Sequence, residues 1–459
     1  MTIRARINRL ARNKMLRSIS VLVGGTAFAH GITALTLPIV TRLYTPADFS
    51  VLAVFASILS IVSVAACLRF DVAIPIPEHD DEAANLLALA LGFSAFIAVL
   101  LAVLVLALPQ DVLPTFNQPK LATYLWLLPP GVLLAAGYSA LQMWFVRKQA
   151  FTSITSSRVA QSAAAAGTQV TMGWLHWAPT GLILGLLLNT GAGCLGLGYR
   201  FARHHRDALN AITRVRMRSA FASYVRFPKY STFEAVCNSA SIQLPIIMIA
   251  ALASGPEAGF LILAMAAMQA PMGLIGTAVS QVYLSRAPEE HRAGRLNSFT
   301  AGIFGALIKS GAGPLVFAGF IAPELFAIVF GSEWRRAGVL VAWMTPWFIM
   351  QFLSVPVSMA LHVTGNQRAA LALQIFGLVL RTGAVCVTGA VASGFISEAY
   401  ALSGFVFYLA YLIIVMRVVS ARTSDVVSEG VRALPFVLGW AAAGWIMSIA
   451  SNELHLLTH

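Results

Sequence analysis

The positions of this sequence able to do chemistry are ionisable residues set inside long apolar runs. Each costs at least about 2.5 kcal/mol at a bilayer centre unless it is paired or hydrated. Lys309 lies about nine residues into a run that begins near residue 299, roughly 13 Å along and close to the midplane of a ~30 Å hydrocarbon layer. The Ser310, Gly311, Ala312, Gly313 and Pro314 that follow predict an opened helix beside it. Arg381 lies about 13 residues into a later run, with a guanidinium whose fork suits bidentate phosphate binding. Glu234, near the start of another run, is a candidate proton or cation site, or else the ion-pair partner of Lys229 or Lys309. Arg69 and Asp71 close the second run; two residues apart, they would not face one another on a helix. Snorkelling to the interface is the alternative role for Arg69. Arg158, early in the fifth run, and His30, midway along the first, complete the set, with His30 also readable as a hydrogen-bonded packing residue. Cations outnumber anions, which suits an anionic substrate. Substrate binding is therefore expected of Lys309, Arg381, Arg69 and Arg158, and ion or proton coupling of Glu234, Asp71 and His30.

Other chemistry finds no support. There is no Walker phosphate loop, no GxSxG elbow and no HExxH, and the nine His residues show no metal-ligand spacing. Catalysis, a cofactor and a bound metal are not expected. Cys67, Cys194, Cys237 and Cys386 stand singly in apolar segments and read as small buried hydrophobes. The acidic stretch Glu78, His79, Asp80, Asp81 and Glu82 reads as a solvated loop, with a divalent-cation site as the alternative.

The elements that must position these residues are membrane helices. Residues of the hydrophobic set make up 58% of the chain and charged ones 11%, about half the charged fraction of an average soluble domain. Apolar runs of helix-spanning length recur throughout, without the ten-residue alternation of a β-barrel. The net charge of +13 invites a nucleic-acid reading. The basic residues, however, fall in alternate loops, with Arg42, Lys120, Arg335 and Arg336 on one side, Arg69, Lys309 and Arg381 within runs, and all others on the opposite side. That asymmetry is the positive-inside pattern; it places the N-terminus in the cytoplasm and removes the need for nucleic acid. Ala27, Phe28 and Ala29 resemble a signal-peptidase site, but the run continues to Val40 and reads as an uncleaved first helix.

Runs near 17–42, 49–70, 84–108, 121–147, 153–175 and 180–200 give six helices. Runs near 229–252, 257–284, 299–322, 337–362, 368–392 and 396–417 give six more, and 433–450 a thirteenth. The predicted fold is an all-α polytopic membrane protein of two six-helix lobes related by a parallel pseudo-two-fold, plus one extra C-terminal helix. Residues 1–200 form the N-terminal lobe, 201–228 a basic cytoplasmic linker, 229–420 the C-terminal lobe, and 421–459 the additional helix and tail. A short repeat supports the pairing: Leu37, Pro38 and Ile39 precede Pro46, Ala47 and Asp48, as Leu244, Pro245 and Ile246 precede Pro256 and Glu257. Parallel repeats of this kind enclose a transport site, and Pro and Gly interruptions in several helices favour bending around a cavity.

The stretches LTLPIVTRLYTPADFSVLAVF (35–55), LRFDVAIPIPEHDDEAANLLALAL (68–91) and VRFPKYSTFEAVCNSASIQLP (225–245) resemble the oligosaccharide flippase family of the multidrug, oligosaccharidyl-lipid and polysaccharide exporter superfamily. FGSEWRRAGVLVAWMTPWFIMQFLSVPVS (330–358) and TGNQRAALALQI (364–375) extend the resemblance. It implies two lobes in a V, a cation-lined cavity opening to either side in turn, and a substrate that is an undecaprenyl-pyrophosphate-linked glycan. It also implies a bacterial inner membrane protein, a monomer among membrane lipids, with polysaccharide polymerase and glycosyltransferases as further partners. The alternatives are a cation-coupled drug exporter of the same fold and a membrane glycosyltransferase or polymerase.

Overall fold

A computed structural model describes residues 24–107, 119–364 and 366–457, and among these every regular element is helical. The basic residues from Arg4 to Arg17, the start of the first helix and the connection at 108–118 lie outside the described residues. In chain order, α1 covers 24–43, α2 Pro46–Ala66, α3 Asp80–Ala107, α4 Leu128–Arg147, α5 Phe151–Trp174 and α6 Thr180–His204. Then come α7 Thr232–Leu252, α8 Glu257–Arg292, α9 Leu296–Phe330, α10 Arg335–Ser354, α11 Gln367–Val391, α12 Ile396–Val418 and α13 Thr423–Leu457.

Ten helices among the described residues are long and apolar enough to cross a membrane, and the protein is a multi-pass membrane protein. Phe96, Val99, Leu100, Val103 and Leu104 on α3, and Phe436, Leu438, Trp445 and Ile446 on α13, are exposed apolar side chains of the kind that only lipid would cover. α5 falls outside the ten because hydroxyls and amides interrupt it; Ser157, Gln161 and Ser162 on its length are buried. The expected 337–362 helix stops at Ser354, because Pro356 has no N–H to continue the hydrogen-bond ladder, and a short helix Ala360–Val363 follows.

The chain forms two compact units. One comprises the described residues as far as Tyr44 with Val54–Gln243, the other Thr45–Ala53 with Leu244–His459. Neither unit ends at the basic linker, which belongs wholly to the first; the division falls inside α7. In the first unit the acidic stretch grips that linker. Asp81 pairs with Arg216 at 2.9 Å, and Asp80 pairs with Lys148 and with Arg147 at 3.1 Å. Asn85 donates to the Ala211 carbonyl and accepts from the Thr213 amide. These carboxylates have basic partners, and among the described residues no group of side chains could hold a metal ion.

In the second unit, the start of α2 is held by a reciprocal cap. Thr45 Oγ1 donates to Asp48 Oδ2 at 2.8 Å while Asp48 N donates to Thr45 Oγ1 at 3.3 Å. One turn on, Gly259 N donates to Ser50 Oγ at 2.9 Å, and a Cβ on Gly259 would meet the Pro46 carbonyl at 2.1 Å. The two halves of the repeat therefore do similar local work, since Pro46 opens α2 and Pro256 is the N-cap of α8.

Candidate functional site

Lys309 sits where the sequence expects an opened helix. Ile308–Ala312 form a π turn inside α9, the distortion that an extra residue forces on an α-helix. Gly311 brings the turn against Phe352 of α10, where an added Cβ would meet the ring at 2.1 Å. The Lys309 Nζ donates to Glu429 Oε2 of α13 at 2.7 Å, and Glu429 also accepts from Arg432. Two expectations change here. The protein partner of Lys309 is not Glu234 but a carboxylate from the thirteenth helix, which begins ten residues before its apolar run.

Along this face α13 packs onto α9 over glycine. A Cβ at Gly305 would meet Glu429 Oε2 at 2.5 Å, and one at Gly313 would meet Trp440 at 2.4 Å. Trp440 stands edge-on to Phe317, their centroids 5.5 Å apart. On the other side of α9, an apolar pocket of about 380 Å³ lies among α9, α10 and α12, lined by Gly319, Phe320, Thr345, Pro346 and Phe405. The Thr345 hydroxyl donates to the Val341 carbonyl, so the pocket suits hydrocarbon and not a charged head.

Arg381 lies midway along α11 and does not face an open cavity. It is 2% exposed, and its Cζ lies 4.3 Å from the Phe407 ring centroid and 5.5 Å from those of Trp347 and Tyr408. Gly377 admits the Phe407 ring, and Gly404 admits Trp347, whose ring an added Cβ would meet at 2.4 Å. The faces of these rings attract the charge through cation–π interaction. Arg381 Nε and Nη2 and Trp347 Nε1 are all buried without a hydrogen-bond partner.

The remaining candidates lie in the first unit. Leu68 and Arg69 take left-handed conformations, at φ 47° and 60°, after α2 ends. This costs roughly 1–2 kcal/mol per non-glycine residue. Asp71 is buried and accepts from Ser139 Oγ at 2.7 Å; its Oδ1 and the Arg69 Nε are buried without partners. Arg158 is half-buried and donates to Thr26 Oγ1 of α1 at 2.8 Å. His30 and Glu234 are exposed, and Lys229 lies over the Tyr230 ring, 5.4 Å from its centroid. A second π turn, Phe227–Ser231, leads into α7 just before Glu234. Sequence reasoning missed Glu429 and the three rings around Arg381. A polar N-terminal extension on the last apolar run was the one available signal for Glu429.

The fold is shared with known membrane transporters. The chain superposes on the lipid II flippase MurJ in its inward closed conformation with a TM-score of 0.72 at 11% identity, covering 94% of this chain and 97% of that one. An inward-facing multidrug resistance MATE family transporter of the MOP superfamily gives 0.59 at 13% identity, covering 87% and 94%. A MOP superfamily transporter from Pyrococcus furiosus gives 0.55 at 13% identity, covering 88% and 95%. No curated protein matches the sequence. The sequence does match the polysaccharide biosynthesis protein family over residues 39–338, and the chain belongs to that family.

Proposed function

We propose that the protein is a flippase for undecaprenyl-pyrophosphate-linked oligosaccharide, carrying it from the cytoplasmic to the periplasmic leaflet of a bacterial inner membrane by alternating access. The product feeds surface polysaccharide such as O-antigen, capsule or exopolysaccharide. The observation that carries this reading is membership of the polysaccharide biosynthesis family on a chain with a membrane-transporter fold. A diphosphate and several sugars cannot cross hydrocarbon unaided, whereas a polar passage shelters the head while the isoprenoid tail stays in lipid. The task makes and breaks no bond.

Within this reading the diphosphate falls to Arg158 and Arg69. Both lie inside the matched region, and neither is paired with a carboxylate among the described residues. Lys309 and Arg381 are less suited, because Glu429 neutralises the first and aromatic rings enclose the second. The test is complementation of a flippase-deficient strain, reading surface glycan against the amount of protein in the membrane. Arg158→Ala should lower glycan export about tenfold or more at normal protein level, the loss expected of a charge-assisted contact. Arg158→Lys should restore part of it. Full export from an Arg69→Ala, Arg158→Ala double variant would remove these two residues from the site, and failure of the parent chain to complement any such strain would overturn the flippase reading itself.

A further inference from the structure

We infer that Arg381 and Trp347 form a binding site for a small monovalent anion inside the second unit, separate from the path of any glycan. The reasoning starts from an imbalance. Three hydrogen-bond donors, Arg381 Nε and Nη2 and Trp347 Nε1, are buried with no acceptor, and one of the two side chains carries a full positive charge. Their residues are 2% and 3% exposed, and the guanidinium carbon lies 5.5 Å from the Trp347 centroid, so the two side chains pack in one enclosed group. The rings of Phe407 and Tyr408 attract the charge through their faces but offer no acceptor of ordinary hydrogen-bond strength to the N–H groups.

The chain's own acids do not supply the missing acceptor. Of the buried carboxylates of this unit, Asp48 is engaged with Thr45, Glu324 pairs with Arg335, and Glu398 pairs through Oε1 with Arg336 while its Oε2 has no hydrogen-bond partner; among the described residues none of them pairs with Arg381. An acceptor that balances one guanidinium must bring one negative charge, and walls of aromatic rings favour an ion that surrenders its water readily. A halide meets both conditions. A phosphate group carries more charge and binds water more strongly than this enclosure suits. The residues also lie beyond the 39–338 region that matches the polysaccharide family, so this inference stands whether or not the substrate is a lipid-linked glycan.

The experiment uses the full chain in lipid nanodiscs. Thermal unfolding is followed in sodium chloride, sodium bromide and sodium gluconate at equal ionic strength. Chloride and bromide should raise the midpoint by several degrees over gluconate with a saturable dependence on halide. Arg381→Gln and Trp347→Phe should each abolish most of that difference, and Arg295→Gln, at an exposed position of the same unit, should leave it intact. Should Arg381→Gln fail to fold, Trp347→Phe carries the test, because it keeps a ring while deleting one donor. Anomalous scattering from crystals grown in bromide should place the ion beside Arg381. Equal midpoints in halide and gluconate, a halide effect undiminished by Trp347→Phe, or bromide bound only at other positions would each overturn the proposal.

Discussion

Lys309 and Arg381 are both cations set deep in helices of the second unit, and they are accommodated by different physics. Lys309 stands on a distorted turn and is half exposed, answered by a carboxylate from α13. Arg381 stands on a regular helix, buried among rings, with no carboxylate answering it. Depth in the membrane sets the need for neutralisation. It does not choose between an acid, an aromatic cage and a ligand, because that choice depends on what neighbouring helices bring to the same level. The lysine's flexible stem can reach an acid on an adjoining helix, whereas a planar guanidinium packs flat against rings.

The contrast can be broken most forcefully at Trp347. Trp347→Ala removes a wall of the Arg381 cage and the ring seated on Gly404, and should cost about 3–5 kcal/mol, read as a fall in the thermal midpoint of purified protein. A much smaller loss would mean that Arg381 does not depend on its cage.

A middle-sized effect is expected where α13 meets α9. Gly313→Ala would drive a Cβ into Trp440 and should cost about 1–3 kcal/mol, loosening α13 so that cysteines paired across α9 and α13 cross-link less well. Gly302→Ala on the same helix meets nothing within 4 Å and serves as the control, with no loss of cross-linking.

The smallest effect should come from the lysine. Lys309→Gln and Glu429→Gln should each lower the thermal midpoint by less than Trp347→Ala does, and the double variant should be no worse than Glu429→Gln alone, since that change already removes the bond to Lys309 along with the one to Arg432. Additive losses would show that the two side chains do not act as a pair.

Much of this was legible in the sequence, and the limits have physical causes. Gly311, Gly313 and Pro314 announced the disturbance beside Lys309, and the structure has its π turn there. The partner was hidden because TSDVVSEGVR (423–432) is polar, so an apolar-run criterion starts the last helix too late, although it extends back to Thr423 and carries Glu429. The depth of Arg381 could be counted along one helix. Its surroundings could not, because Trp347, Phe407 and Tyr408 belong to α10 and α12, and aromatic residues in membrane helices are too common to mark a cage. The acidic stretch from Glu78 to Glu82 is solvated at Asp80 and Asp81, but the pairing of Asp80 with Arg147 and Lys148 at the end of α4, and of Asp81 with Arg216 in the linker, joins segments far apart in sequence that no local pattern connects. The left-handed backbone at Leu68 and Arg69 had no glycine to announce it.

The π turn of α9 also solves a problem of angular register. Gly305, Lys309, Gly313 and Phe317 all meet α13, at a constant spacing of four residues. At about 100° per residue, positions at that spacing wind roughly 120° around an unbroken α-helix between the first and the last, too far for one straight neighbour to touch them all. One residue absorbed in the turn cuts the winding to about 20° and returns the four to a single stripe. Deleting one residue between Ile308 and Ala312 should therefore leave a regular α-helix whose two halves keep their phase and their contact with α13, whereas straightening the turn with every residue kept would set the first and last of the four about 120° apart, so that α13 could lie along either half but not both.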